Sequence, residues 1–210
     1  MDAGLLAKLK SSKTKPTMLG GADLKGAKLP KVRLKGASFG GANLSESDFS
    51  HSYMRGANFG GADLGYADFS HSDMECASFG GANMGYTDLR HCRLKGANMS
   101  GAYLGYAKLA GADLHDAYLW GTYMKGADLR DANLENAYLR GSDLKGADLR
   151  RARLSLSDLR GANLDGAKID GKNARELLVS AGILSRGKAE SLPKGAIKTI
   201  LFNKLRVKIA

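Results

Sequence analysis

From Leu19 to Phe39 the chain reads LGGADLKGAKLPKVRLKGASF, and every fifth residue of that stretch is large and apolar. The frame continues without a slip to Ile169, filling thirty-one consecutive positions with Leu, Phe, Met and a single Ile. Two places before each stands a small residue, almost always Ala, Ser, Thr or Cys. A step of five wanders around a helix and alternates faces in a strand, so neither element explains the pattern. The backbone must turn once per unit. In Ala22-Asp23-Leu24-Lys25-Gly26, three extended residues put Ala22 and Leu24 on one side and Asp23 on the other. The apolar pair then faces inward and the polar residue outward. The last two places of the unit hold many of the 28 Gly residues, which marks them as corners where the backbone needs freedom.

A longer period counts the sides. Gly-Gly recurs at 40, 60 and 80, Phe at 39, 59 and 79, His at 51, 71 and 91, and Gly-Tyr at 65, 85 and 105. Four units therefore make one circuit, and nearly eight circuits stack. At about 4.8 Å per layer the rod is roughly 35 to 40 Å long. Phe39, Phe59 and Phe79 fall on one side of the core and Phe49 and Phe69 on the opposite side, predicting two ring ladders.

These units resemble the pentapeptide-repeat family, whose signature is A-(D/N)-L-x-x in tandem. Ala22-Asp23-Leu24, Ala42-Asn43-Leu44, Ala112-Asp113-Leu114, Ala132-Asn133-Leu134 and Ala162-Asn163-Leu164 match it residue for residue. The resemblance implies an all-β solenoid, a right-handed quadrilateral parallel β-helix. Departures are mild: Val32, Cys92 and several Ser or Thr replace Ala, and Tyr or Lys sometimes takes the Asp or Asn place.

Three segments follow: a basic arm or cap over 1–18, the repeat over 19–170, and a basic, partly helical tail over 171–210. The chain carries 32 Lys and Arg against 21 Asp and Glu, and the excess sits at the ends. Residues 1–18 hold four Lys against Asp2, and residues 171–210 hold nine basic residues against Glu176 and Glu190, so the rod is nearly neutral. It is banded, with residues 40–89 acidic and 140–160 basic. In the tail, Asn173 and Glu176 have the spacing of a capping box, Gly182 is a natural stop, and Pro193 can open a helix. Ile197, Ile200, Leu201 and Leu205 share a face of that helix, with Lys194, Lys198 and Lys204 off it. Covering the open end of the rod is the economical use of that face, with homodimerisation or an anionic surface as alternatives.

No window is apolar enough to span a membrane, and the first residues lack the long apolar core of a secretory signal. Cys92 takes an inward place and Cys76 a corner, which separates them, and a cytoplasmic chain with reduced thiols is expected. Exposed carboxylates at regular spacing form a solvated face, the Gly residues keep corner spacing rather than forming a phosphate loop, and His51, His71 and His91 lack further ligands. No catalytic residue, metal site or cofactor is expected. Tyr103, Tyr118, Trp120, Tyr123 and Tyr138 are all outward and fall on two adjoining sides around one corner, a candidate protein-contact patch. Tyr66, Tyr86 and Tyr106 form a separate, structural ladder.

The sequence reads as a non-enzymatic scaffold that presents a rigid rod to a protein partner. The resemblance adds an alternative, binding and protection of a topoisomerase such as DNA gyrase by resembling DNA in shape and charge, which calls for a strongly acidic rod. Nucleic acid or an anionic membrane surface held by the basic tails is a third reading.

Overall fold

The computed structural model describes residues 18–209, so all of the expected basic arm except Met18 lies outside the described residues. From Met18 to Asp148 the middle residue of each unit forms a parallel bridge to the residue twenty places on, as Asp23 does to Asn43 and Asn43 to Asp63. The chain is thus a β-helix with four sides per coil.

Its backbone hydrogen bonds can be followed within one unit. Ala22 N–H donates across the preceding corner to Leu19 O, while Leu24 and Gly26 donate to Asn43 O and Ser45 O in the next coil. The N–H of a middle residue reaches the coil before, as Asn43 does to Ala22 O. Four of five donors are thereby engaged. The fifth belongs to the first corner residue, and the outward side chain takes it: Lys25 N–H donates to Asp23 Oδ1 at 3.2 Å. The same closure recurs from Ser45 to Asn43, Gly65 to Asp63 and Asp165 to Asn163. A short side chain with an acceptor oxygen two residues before the donor is what this turn needs, hence the Asp and Asn of the repeat. Where Lys28 cannot accept, the corner residue is Pro30, which has no N–H.

The corners correct one expectation. From residue 21 to residue 166 every fifth residue has a positive φ, between 55° and 70°, and this is always the second corner place. Glycines at the first place, such as Gly40 and Gly60, do not take that conformation. Freedom to turn is required at one corner residue per unit, and His51, Tyr66 and Leu156 supply it without being glycine.

Inside, the Phe ladders form as the period predicts. Phe39, Phe59 and Phe79 stack at 4.9 and 5.0 Å, Phe49 and Phe69 at 5.4 Å, and the ladders meet edge to face. Burying each ring contributes about 1.5 to 3 kcal/mol. The hydroxyls and thiol that replace inward Ala find carbonyls in two ways: Ser72 Oγ, Thr87 Oγ1 and Cys92 Sγ donate to Phe49 O, Leu64 O and Phe69 O of the coil before, within 2.9 Å, whereas Ser47, Thr122, Ser142 and Ser157 donate across the corner to the carbonyl three residues before.

After the rod come β1 (Lys168–Ile169), α1 (Ala174–Ser180), α2 (Arg186–Ser191), α3 (Lys194–Leu205) and β2 (Lys208–Ile209). The expected capping box does not form. Asn173 has helical dihedrals and makes no side-chain cap, and Glu176 pairs instead with Arg186 at 2.9 Å. Asp170 Oδ1 accepts the N–H groups of Lys172 and Asn173 in its stead. Asn173 has other work: its Nδ2 donates to Ala152 O at 2.6 Å, a carbonyl that one more regular coil would have engaged through a backbone N–H. At the other end of α1, Gly182 has φ +71°, its N–H reaches Val179 O and Ile183 N–H reaches Leu178 O.

The tail continues to stand in for a missing coil. β2 pairs in parallel with β1, Lys208 N–H donates to Ala167 O, Leu159 N–H finds Ser180 O and Gly166 N–H finds Arg206 O. Leu177, Leu178, Ile197 and Leu201 are buried in one cluster with Leu154, Leu164 and Ile169 of the last coils. Lys194, Lys198 and Lys204 are exposed.

Candidate functional site

The twenty-residue period puts Tyr103 and Tyr123 on one side, bridged to each other, and Tyr118 and Tyr138 on the side before it, likewise bridged. Trp120 occupies the corner between the two sides. Tyr103 and Tyr123 stack at 5.1 Å, and Tyr118 and Tyr138 at 5.0 Å. Trp120 stands edge-on to Tyr118 and Tyr138, 5.8 Å from each. The structure therefore brings Trp120, Tyr118 and Tyr138 into one cluster and leaves Tyr103 and Tyr123 as a separate stacked pair beside it. All five are exposed, and Trp120 most, at 50%.

The same four tyrosines break the corner closure. A phenol cannot accept the N–H two residues on, and the N–H groups of Gly105, Trp120, Lys125 and Arg140 have no acceptor among the described residues. Other units of the same coils close, from His115 to Asp113, Arg130 to Asp128 and Glu135 to Asn133. Among the described residues the corner N–H is also left open outside the patch, as at Lys35, Arg55, Lys95 and Ser155. The patch thus offers rings, open backbone donors, and at its rim the cations Lys125 and Arg140, which have no ion-pair partner among the described residues. The sequence held this signal, since an outward residue without an acceptor oxygen forfeits the bond.

A second feature escaped the period. A Cβ on Gly85 would come within 2.8 Å of the Tyr103 ring, and one on Gly105 within 2.7 Å of its Oη. These glycines make room for Tyr103 to lie along the rod. The structural ladders end on glycine in the same way. His51, His71 and His91 stack at 4.9 and 5.0 Å, and His91 lies over Gly111; Tyr66, Tyr86 and Tyr106 stack at 4.9 and 5.2 Å, and Tyr106 lies over Gly126.

Elsewhere the outward charges pair. Arg90, Arg130, Arg150 and Arg160 each hold the Asp two residues before, at 2.6 to 2.7 Å. Arg55 and Arg93 both clamp Asp73 and Glu75 from opposite sides. The guanidinium of Arg130 holds the Asp128 carboxyl below the usual range, outweighing burial, and Arg160 does so for Asp158. At Asp88 and Asp148 burial opposes more strongly, yet Arg90 and Arg150 still bring the net shift down. Cys92 is the buried thiol, and burial pushes it up to about 12, far from a reactive thiolate; Cys76 is exposed. Among the described residues no three His, Cys, Asp or Glu side chains group to hold a metal ion, and no helix is long and apolar enough to cross a membrane.

A parallel β-helix of stacked five-residue units belongs to the class of repeat solenoids. A family model of pentapeptide repeats (8 copies) matches residues 19–56, 52–90, 72–105, 82–121, 107–146 and 137–171, and the chain belongs to that family. It shares the right-handed, quadrilateral β-helix of its solved members. The full-length plasmid-mediated fluoroquinolone resistance protein QnrB1 is 25% identical, with a TM-score of 0.57 over 80% of this chain and 98% of that one. HetL, a pentapeptide repeat protein involved in heterocyst differentiation regulation from the cyanobacterium Nostoc sp. strain PCC 7120, is 26% identical over 80% and 96%, with a TM-score of 0.33. A thylakoid-lumen pentapeptide repeat protein of Arabidopsis thaliana is 27% identical over 63% and 77%, with a TM-score of 0.24. No curated protein matches the sequence.

Proposed function

We propose that the chain is a non-catalytic scaffold that binds a protein partner through the corner of Tyr103, Tyr118, Trp120, Tyr123 and Tyr138. The observation that carries this reading is the exposure of five aromatic side chains around one corner, with the corner N–H groups after its four tyrosines left open. Exposed aromatic side chains grouped on a rigid surface are the composition expected of a protein-contact hot spot. The tail is read as a cap, and the free thiols fit a cytoplasmic setting.

The test uses the single Trp. Trp120→Ala with Tyr123→Ala should abolish recovery of the partner captured by the wild-type rod from its native cell, while melting shifts by about 1 kcal/mol or less. The captured protein, once purified, should change the emission of Trp120 on mixing. Equal recovery by the double variant would reduce the corner to a structural feature.

A second reading rests on the likeness to QnrB1: a rod that occupies the DNA-binding surface of a topoisomerase. The acidic band over 40–89 supports it, while the Arg-Asp pairs of the later coils oppose it. Purified DNA gyrase titrated with the rod separates the two, because only this reading expects a change in supercoiling.

A further inference from the structure

The cap carries a feature unconnected with the aromatic corner. A cleft of about 540 Å³ opens between Gly171, the start of α1 and the first turn of α3. Ala174 and Ile197, both buried, form its floor, and Lys172, Arg175, Lys194 and Lys198 surround it. Among the described residues no carboxylate lines it. Two acids close in sequence to the lining residues are engaged elsewhere: Asp170 accepts the N–H groups of Arg151, Lys172 and Asn173, and Glu176 holds Arg186. Lys194 and Lys198 lie one helical turn apart on α3, and Lys172 precedes α1 while Arg175 lies in its first turn, so like charges crowd the rim and favour an anion between them.

The chemistry narrows the anion. Arg175 donates through Nε to Ala189 O and through Nη2 to Leu192 O, so its fork is occupied and cannot clamp a carboxylate side-on. The three lysines remain as point charges with free donors, which suit phosphate oxygens. Four positive charges around one opening match a multiply charged group better than a single carboxylate. The volume lies in the range of small-molecule sites, and the apolar floor gives an organic body a place to rest. Two other hollows carry Asp165 among their basic residues, so a lining of cations without a carboxylate distinguishes this cleft from them. We propose that this cleft binds a small organic polyphosphate of the nucleoside di- or triphosphate class, with its phosphates on Lys172, Lys194 and Lys198 and its organic part over Ala174 and Ile197.

Calorimetry on the full chain tests this, with ATP, AMP and inorganic tripolyphosphate as probes. ATP should bind with one site per chain, about tenfold or more tighter than AMP, and more weakly as salt rises. It should also bind more tightly than tripolyphosphate, because only ATP uses the floor. Lys172→Ala, Lys194→Ala and Lys198→Ala combined should weaken ATP at least about tenfold with unchanged melting, since all three side chains are exposed. Trp120→Ala with Tyr123→Ala should leave ATP binding intact, which separates this site from the partner surface. The proposal is overturned if ATP binds the triple variant as well as the wild type, or if tripolyphosphate equals ATP. It is also overturned if ATP fails to bind while duplex DNA or anionic vesicles depend on the same lysines.

Discussion

The rod and its cap solve the same problem by opposite means. Each coil of the rod engages its donors by one scheme repeated every five residues, with Asp or Asn closing the corner. The cap meets the last coil with contacts used once: Asn173 Nδ2 on Ala152 O, Ser180 on Leu159, Arg206 on Gly166, and β2 on β1. Several of these occupy places that a further coil would fill. A solenoid end is therefore closed by imitating the next layer with whatever group reaches, side chain or backbone.

The largest effect should come from breaking the rod from within. Leu94→Lys puts a charge without a partner into a core where Leu94 is fully buried, at a cost of several kcal/mol. Lys95→Ala, on the exposed corner, should be nearly silent. Thermal melts of the two variants check the inward and outward assignment, and equal midpoints would break it.

Next comes removal of the cap. Ending the chain after Asp170 uncovers Leu154, Leu159, Leu164 and Ile169 and frees the carbonyls and N–H groups that the tail now meets. An open coil is a template for another chain, so the truncated rod should associate end to end. Leu177→Lys, which places a charge in the buried face of α1, should give a milder form of the same behaviour. Light scattering measures both. A stable monomeric truncation would mean that the tail serves a partner or a second copy rather than the rod.

The two regions also differ in how far the sequence reveals them. Leu24, Phe59 or Met124 can be placed from the five-residue frame because the same environment recurs in every coil, and the second period assigned Tyr118 and Tyr123 to adjoining sides. The cap has no repetition to average over. Asn173 looks like a helix cap locally, but the orphan carbonyl of Ala152 lies twenty-one residues away and wins its amide. The patch was legible to the level of faces and no further. That Trp120 leans toward Tyr118 and Tyr138 rather than Tyr123 is a matter of rotamers, and that Gly85 and Gly105 accommodate Tyr103 is a contact between residues that share no period.

Corner glycines sharpen the point about what repetition requires. Gly111 and Gly141 share φ +69°, but a Cβ on Gly111 would lie 2.5 Å from His91 Nδ1 whereas one on Gly141 meets nothing. Gly141→Ala should cost about 1 to 2 kcal/mol from the backbone alone. Gly111→Ala should cost more, and removing the ring in Gly111→Ala with His91→Ala should recover the excess. Chemical denaturation of the three variants reads this difference, and equal costs for the two glycines would show that His91 simply moves aside.

The smallest effect tests the corner bond itself. Asp128 does two things: its Oδ1 accepts Arg130 N–H at 3.2 Å, and its carboxylate pairs with the Arg130 guanidinium at 2.7 Å. Asp128→Asn keeps an acceptor oxygen and loses the ion pair, which solvent screening makes a small loss on this exposed surface. Asp128→Ala loses both and should cost about 1 kcal/mol more. The pH dependence separates the contributions. Because the pairing holds the folded carboxyl below its unfolded value, near 3.9, its stabilisation is present above that value and is lost as pH falls through the folded one. Wild type and Asp128→Asn should therefore differ at pH 6 and converge at low pH, whereas Asp128→Ala should stay below both. If Asp128→Ala instead matches Asp128→Asn at every pH, the corner N–H is as well served by water as by a side chain, and the tyrosine block at 103 to 138 forfeits nothing by lacking it.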